Sequence, residues 1–88
     1  MRYTVTWHDD VVAQLAEHWL ASRDRDGLSV AVAAIDRRLR FSPRSHARPV
    51  GDRLGVTTVH PVEVLFEVVD EDRLVKVVAV RLIGSPSK

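Results

Sequence analysis

The chain contains no cysteine, and this absence excludes several classes of protein at once. Without thiols it has no disulfide framework, no thiolate nucleophile and no cysteine-ligated metal site. It also lacks an apolar run near the roughly 20 residues that a membrane-spanning helix needs, and the segment MRYTVTWHDD has no signal-peptide core. We therefore expect a cytoplasmic protein that does not act within a membrane.

An excess of one sign of charge is missing as well, because 13 Lys and Arg residues are balanced by 12 Asp and Glu residues. The net charge of +1 argues against a protein that binds nucleic acid through bulk charge alone. The charge is nevertheless unevenly distributed, since residues 23–48 carry seven basic and three acidic side chains, a local net charge of +4. Eleven of the 13 basic residues are Arg, whose planar guanidinium suits phosphate oxygens.

The first half of the chain combines one strand pattern with two helix patterns. Residues 2–7 alternate apolar and polar side chains, which predicts a half-buried strand. Apolar residues then recur at helical spacing, which predicts amphipathic helices over residues 10–22 and 27–41. Pro43 ends the second helix, since proline disfavours helical geometry in the residue before it. We expect this half of the chain to bury four large side chains: Trp7, Trp19, Ile35 and Leu39.

The second half is predicted to be a polar link followed by strands. Residues 42–53 have no apolar period, whereas three later segments have the β-branched and apolar composition of strands: 56–60, 62–69 and 74–83. Phe66 falls on the apolar face of the second of these strands. The order β-α-α-β-β-β predicts one α+β domain over residues 1–88, in which a helical hairpin packs on one face of an antiparallel sheet. The other face is either solvated or a binding surface.

This order of elements, together with particular residues, resembles the RelE/ParE superfamily of bacterial toxin–antitoxin and plasmid-stabilisation systems. The similarity extends over about residues 2–82. It rests on an ordered set of segments: Tyr3-x-Val5-x-Trp7, Gln14-Leu15-Ala16-x-x-Trp19, Ala34-Ile35-Asp36-x-x-Leu39 with Ser42-Pro43, Gly51-Asp52-Arg53, His60-Pro61-x-x-Val64-Leu65-Phe66-Glu67-Val68, and Val75-x-Val77.

The resemblance implies a small toxin that arrests growth until an antitoxin protein wraps and neutralises it. RelE-like members cut messenger RNA in the ribosomal A site, whereas ParE-like members poison DNA gyrase. The ribonucleases hold the phosphate with basic side chains on the open face of the sheet, and commonly place a Tyr or His near the C-terminus for proton transfer. After Arg81 this chain reads Leu-Ile-Gly-Ser-Pro-Ser-Lys, with neither Tyr nor His.

Cleavage of a phosphodiester by the neighbouring 2′-hydroxyl needs a base, an acid and cations that stabilise the pentavalent phosphorus. We predict that Arg81 stabilises the developing charge, that Arg53 helps to hold the phosphate, and that His60 moves the protons. His46 is a weaker candidate for the last role. On a period of two, Arg81 shares a face with Val75 and Val77 in the last strand.

Four more arginines are predicted to contact RNA phosphates: Arg37, Arg40, Arg44 and Arg48. The first three fall at i, i+3 and i+7, on one helical face. The alternative is a solvated face on which Asp36 pairs with Arg40 at i, i+4. The four histidines have no metal-ligand spacing, so we expect no metal and no other cofactor.

The leading hypothesis is a RelE-like toxin that cleaves ribosome-bound mRNA, or a degenerate form of one, with an antitoxin protein as its partner. One alternative is a ParE-like inhibitor that binds DNA gyrase without chemistry, which the missing Tyr or His favours. Another is an inactive antitoxin-binding member of the fold, which the near-neutral charge favours. In each case the open sheet face and the groove beside the helical hairpin are expected to accept an antitoxin helix or strand.

Overall fold

A computed structural model describes residues 2–45 and 47–83 as two helices packed on one face of a five-stranded sheet. The elements are β1 (Thr4–Trp7), α1 (Asp9–Ala21), α2 (Arg25–Phe41), β2 (Arg48–Pro49), β3 (Leu54–Val59), β4 (Val62–Val69) and β5 (Leu74–Leu82), with a 3-10 turn at Asp70–Asp72. The predicted α+β class and helical hairpin are confirmed, and the link predicted to be irregular contains the short strand β2. Within the described residues, no helix is both long and apolar enough to cross a membrane.

The sheet has the spatial order β1-β5-β4-β3-β2, so β4 is its central strand. Strands β3, β4 and β5 pair antiparallel, as predicted, and the short strand β2 adds to them in the same sense, but β1 runs parallel to β5. The expectation of a sheet that is antiparallel throughout is therefore wrong at this edge. A parallel pair needs a long crossover connection, and the whole segment from α1 to β4 supplies it.

The core lies between alternate residues of β4 and one face of α2. Its central side chains are each at most 3% exposed: Val62, Val64, Phe66 and Val68 from β4, and Leu28, Ala31, Ile35 and Leu39 from α2. The predicted burial of Ile35, Leu39 and Phe66 is confirmed. Gly55 lies opposite Phe66, where a Cβ would come within 2.9 Å of the ring, so the missing side chain makes room for the aromatic ring.

Helix α1 is held to the core mainly through its first turn, where Val11 is buried. The stripe predicted to be buried along the rest of α1 is largely on the surface, since Val12, Trp19 and Leu20 are 51%, 40% and 65% exposed. The prediction of a buried Trp19 is wrong, and Trp7 is only half-buried. The apolar stripe of α1 is wider than the surface that the sheet and α2 offer it, so only its edge at Val11, with the half-buried Leu15, is covered.

Trp19 instead bridges the two helices at their outer rim. Its indole Nε1 donates a hydrogen bond to Ser29 Oγ at 3.2 Å, and the Arg25 guanidinium lies 4.7 Å from the ring centroid. Arg25 also donates to the last carbonyls of α1, including that of Trp19 at 3.1 Å. The hairpin is thus closed at its turn, while the helices remain apart along the groove described below.

Candidate functional site

The open face of the sheet is the side that the helices leave uncovered. Strand register matches acidic with basic residues across β4 and β5, because Glu63 lies opposite Arg81 and Glu67 lies opposite Lys76. Arg48 of β2 is on the same face. Within the described strands, the charged residues on this face are therefore three cations and two carboxylates, which makes it a mixed surface and not a uniformly basic one.

Arg81 reaches the open face because β5 contains a bulge. The register with β4 shifts at this point, so that Val78 has no partner of its own in β4. Val75 and Val77 before the bulge, and Val80 after it, all point into the core. The prediction that Arg81 shares a face with Val75 and Val77 is therefore wrong, since an extra residue reverses the alternation of side chains.

Arg81 is paired with a carboxylate from the neighbouring strand. Its Nε donates a hydrogen bond to Glu63 Oε1, and the second carboxylate oxygen accepts from Thr58 Oγ1 at 3.3 Å. The Glu63 side chain is only 15% exposed, whereas that of Arg81 is 73% exposed. The carboxylate is thus fixed between β3 and β5, while most of the arginine side chain remains open to solvent.

Arg53 lies at the other end of β4 and on the other side of the sheet. Its carbonyl accepts from the Val68 amide at 2.8 Å, and it lines a cleft of about 170 Å³ with Phe66 and Val68, whose side chains point toward the helices. Five positions of β4 separate Val68 from the residue opposite Arg81, which is about 17 Å at the rise of a strand. The structure therefore does not bring Arg53 and Arg81 to one phosphate, and Arg53 instead lies 3.5 Å from Glu71.

Arg44 is bound to Asp70 near the same end of the sheet. Its Nη1 and Nη2 donate to the two carboxylate oxygens at 2.9 and 2.7 Å, and the Tyr3 hydroxyl donates to Oδ1 at 3.0 Å. The hydrogen bonds from Arg44 and then Tyr3 lower the pKa of Asp70, while the hydrogen bond to Asp70 raises the pKa of Arg44. This cluster ties the segment after α2 to the β4–β5 turn and engages the only tyrosine of the chain.

The three arginines predicted to share a helical face are not arranged in that way. Helix α2 ends at Phe41, so Arg44 lies beyond it and leaves the face to Arg37 and Arg40. Arg40 Nε donates to Asp36 Oδ2 at 2.7 Å, which is the i, i+4 ion pair of the alternative interpretation. Arg37 is exposed and remains a candidate contact for an anionic partner.

His60 is exposed in the turn between β3 and β4. The pair of Val59 with Val62 closes this turn, and Val62 lies opposite Leu82, next to Arg81. His60 and Arg81 are therefore at the same end of the sheet. His46 lies outside the described residues. In the part of the chain that the structure describes, no three or more His, Cys, Asp or Glu residues are grouped as metal ligands.

An apolar groove of about 540 Å³ lies between α1 and α2. It is the space left by the incomplete burial of α1, and it is lined by Trp7, Val12, Leu15, Ala16, Trp19, Leu28, Ser29, Val32, Ala33 and Asp36. The polar atoms in its wall are engaged, since Trp7 Nε1 donates to Asp36 Oδ1 at 3.1 Å. A groove with an apolar lining and satisfied polar groups is suited to an apolar segment of another protein.

The residues that sequence reasoning missed are the carboxylates of the open face. Glu63 and Glu67 alternate with the apolar core residues of β4, so the period of two already assigned them to the uncovered side. Their pairing with Arg81 and Lys76 depends on strand register and on the bulge, for which the sequence has no visible signal.

Comparisons with solved structures identify the fold. A chain of the RelBE2 toxin–antitoxin complex from Mycobacterium tuberculosis superimposes with a TM-score of 0.75 at 17% sequence identity, covering 93% of this chain and 99% of that one. The archaeal RelE–RelB complex from Pyrococcus horikoshii gives a TM-score of 0.67 at 17% identity, with 96% and 98% coverage. The isolated RelE toxin from E. coli gives 0.66 at 18% identity, with 94% and 86% coverage.

Sequence comparison gives no match of its own: no family model and no curated protein matches the chain. The likeness therefore lies in the three-dimensional arrangement of the elements. It confirms the α+β fold with a helical hairpin on one sheet face that the resemblance implied, and the sheet is mixed, not antiparallel throughout.

Proposed function

We propose that this chain is the toxin of a type II toxin–antitoxin system and acts in the cytoplasm. The observation that carries the proposal is the likeness to RelE and RelBE structures over more than nine-tenths of the chain. Because one fold can serve unrelated functions, the proposal also needs a site. The open face, with its exposed Arg81, and the apolar groove between the helices supply two surfaces that such a toxin would use.

The activity that we propose is cleavage of messenger RNA on the ribosome. The 2′-oxygen attacks the neighbouring phosphorus, the 5′-oxygen leaves, and negative charge accumulates on the phosphoryl oxygens between these steps. The guanidinium of Arg81, 73% exposed on the open face, is suited to stabilise that charge. His60, at the same end of the sheet, is the group suited to proton transfer. Arg48, three strands from Arg81 on the same face, is suited to hold a phosphate further along the message.

A second candidate function is inhibition of DNA gyrase or antitoxin binding without chemistry. The observation that favours it is the pairing of the arginines, because Arg40, Arg44, Arg53 and Arg81 each lie within 4.0 Å of a carboxylate. The sequence after Arg81 also has no Tyr or His. A surface of paired charges binds a protein with matching charges as readily as it binds RNA.

The antitoxin is the partner that we propose for the groove between α1 and α2. Val12 and Trp19 expose apolar surface there, and exposed surface of this kind marks interaction sites. An amphipathic helix with apolar side chains at i, i+3, i+4 and i+7 is the simplest segment to cover it.

The test of the proposed function is expression in bacteria with and without the neighbouring short reading frame. We expect induction of this chain alone to arrest growth, and co-expression of the antitoxin frame to restore it. Transcript ends mapped after induction should show new cuts in translated messages. Growth that continues at full rate when the chain accumulates as folded protein would contradict the proposal, and arrest with broken DNA and intact transcripts would favour gyrase.

A further inference from the structure

We propose that Glu63 restrains Arg81, so that the carboxylate lowers the affinity of the open face for RNA phosphate. This inference rests on the proposed ribonuclease function and goes beyond it by assigning a role to an acidic residue of the site. It starts from the position of Glu63 directly opposite Arg81 in the register of β4 and β5, and from the hydrogen bond that Arg81 Nε donates to Glu63 Oε1.

The carboxylate is held in place from two sides. Thr58 of β3 donates to Glu63 Oε2 at 3.3 Å, while Arg81 of β5 occupies Oε1. With 15% of its side chain exposed, Glu63 is more shielded from solvent and salt than an ordinary surface glutamate, so its charge acts more strongly on its neighbours. Its negative charge is therefore a fixed part of the open face and not a mobile surface charge.

A phosphate that approaches Arg81 meets this fixed charge. The guanidinium keeps donors beyond Nε, and most of the side chain is open to solvent, so a phosphate has access to it. The phosphate then lies roughly 6 Å from the Glu63 carboxylate, and repulsion between two unit charges at that distance weakens binding by about tenfold at an effective dielectric constant of about 40. Arg81 is available to substrate, but with reduced affinity.

The substitution that isolates this effect is Glu63→Gln. The amide keeps the size of the side chain and an oxygen that accepts from Arg81 Nε, while its NH2 group donates to the Thr58 hydroxyl, which can accept as well as donate. Both contacts are kept and the charge is lost. The matched control is Glu67→Gln, which removes the same charge from the same face of β4 opposite Lys76 instead of Arg81. Thermal unfolding of both variants should stay close to that of the wild type.

The measurement is the dissociation constant for a short, fluorescently labelled 2′-O-methyl RNA, which cannot be cleaved, by anisotropy at low salt. We expect Glu63→Gln to bind about tenfold more tightly than the wild type. In the Arg81→Ala background, Glu63→Gln should raise the affinity for RNA by about twofold or less. Glu67→Gln should raise it by a smaller factor than Glu63→Gln does in the wild type, and this factor should be the same in both backgrounds.

Equal or weaker binding by Glu63→Gln would overturn the proposal and indicate that the carboxylate positions Arg81 for RNA. A gain that persists without Arg81, or the absence of RNA binding by Glu63→Gln, would overturn it as well. The proposed function is judged separately by the transcript ends. If Glu63→Gln raises RNA affinity only when Arg81 is present but transcripts stay intact, the restraint of Arg81 by Glu63 is supported and the ribonuclease function is contradicted. If transcripts are cut but RNA affinity does not rise, the ribonuclease function is supported and the restraint is contradicted.

Discussion

A single extra residue in β5, Val78, determines which face of the sheet the Arg81 side chain occupies. Without the extra residue Val78, the alternation in β5 would direct Arg81 to the same side of the sheet as the buried Val75 and Val77. With it, Arg81 lies on the open face beside Glu63. Sequence alternation correctly identified an arginine that needed an explanation, but a bulge leaves no mark on the period of two, so the face was assigned wrongly.

The role of Arg81 leads to the first prediction. If the guanidinium stabilises the transition state, Arg81→Ala should lower the rate of ribosome-dependent cleavage by on the order of a hundred- to a thousandfold. Antitoxin binding should be unchanged, because Arg81 is remote from the groove between the helices. Arg48→Ala, on the same face, should have a much smaller effect. Equal losses in the two variants would indicate that Arg81 has no special function.

The cluster around Asp70 leads to the second prediction. The pKa of Asp70 is lowered below its ordinary value of 3.8 by hydrogen bonds from Arg44 and Tyr3, so the folded state favours the ionised carboxylate. The stabilisation is complete above that ordinary value and is lost as the pH falls through the lower pKa of the folded state. Asp70→Asn should therefore melt at a lower temperature than the wild type near neutral pH. The difference should shrink as the pH falls below the ordinary value of 3.8, and a gap that persists unchanged at acid pH would contradict this assignment.

At the scale of the elements, α2 and β4 supply most of the buried core, whereas α1 packs against the core along one edge only. The 3.6-residue period of α2 predicted the burial of Ile35 and Leu39 correctly, because one face of that helix packs into the core from Leu28 to Leu39. The same reasoning failed for α1, where the stripe is equally apolar but the sheet has no more surface to cover it. Periodicity shows which apolar residues lie on the same face of a helix, and tertiary packing determines whether that face is buried.

The core assignment gives the third prediction. Ile35→Ala and Leu39→Ala remove side chains with no exposed surface, so each should lower the free energy of unfolding by about 2–5 kcal/mol in denaturant titrations. The control is Val30→Ala, in the same helix but 68% exposed, which should change the free energy of unfolding by about 0.5 kcal/mol or less. If all three variants unfold at the same denaturant concentration, the packing of α2 is not as described.

The groove assignment gives the fourth prediction. Val12→Glu introduces a charge into the groove lining at a position that is 51% exposed, so the fold should tolerate it while an apolar antitoxin segment should not. We expect affinity for the antitoxin, measured by calorimetry, to fall at least tenfold. Val30→Glu makes the same change on an exposed part of α2 and should bind normally. Normal binding by Val12→Glu would exclude the groove as the docking surface.

At the scale of the whole molecule, the order of elements and the helical hairpin were readable from the sequence, and the parallel pairing of β1 with β5 was not. Alternation is the same for parallel and antiparallel edge strands, so it has no information on direction. The near-neutral net charge of +1 is reflected on the open face of the sheet. There Glu63 lies opposite Arg81 and Glu67 lies opposite Lys76, so acidic and basic residues face each other across the strands. Apart from the Asp36–Arg40 pair at i, i+4, the sequence did not predict which arginines are paired.

We propose above all that this chain cleaves messenger RNA on the ribosome. The most direct test of this proposal is to add the purified chain to ribosomes that hold a defined message and to map the 5′ ends of the RNA by primer extension. We expect new ends within the A-site codon. They should appear with the wild type, and be absent without ribosomes, with bound antitoxin, or with Arg81→Ala. A message that stays whole when folded wild-type chain is present at the concentration of the ribosomes would contradict the claim.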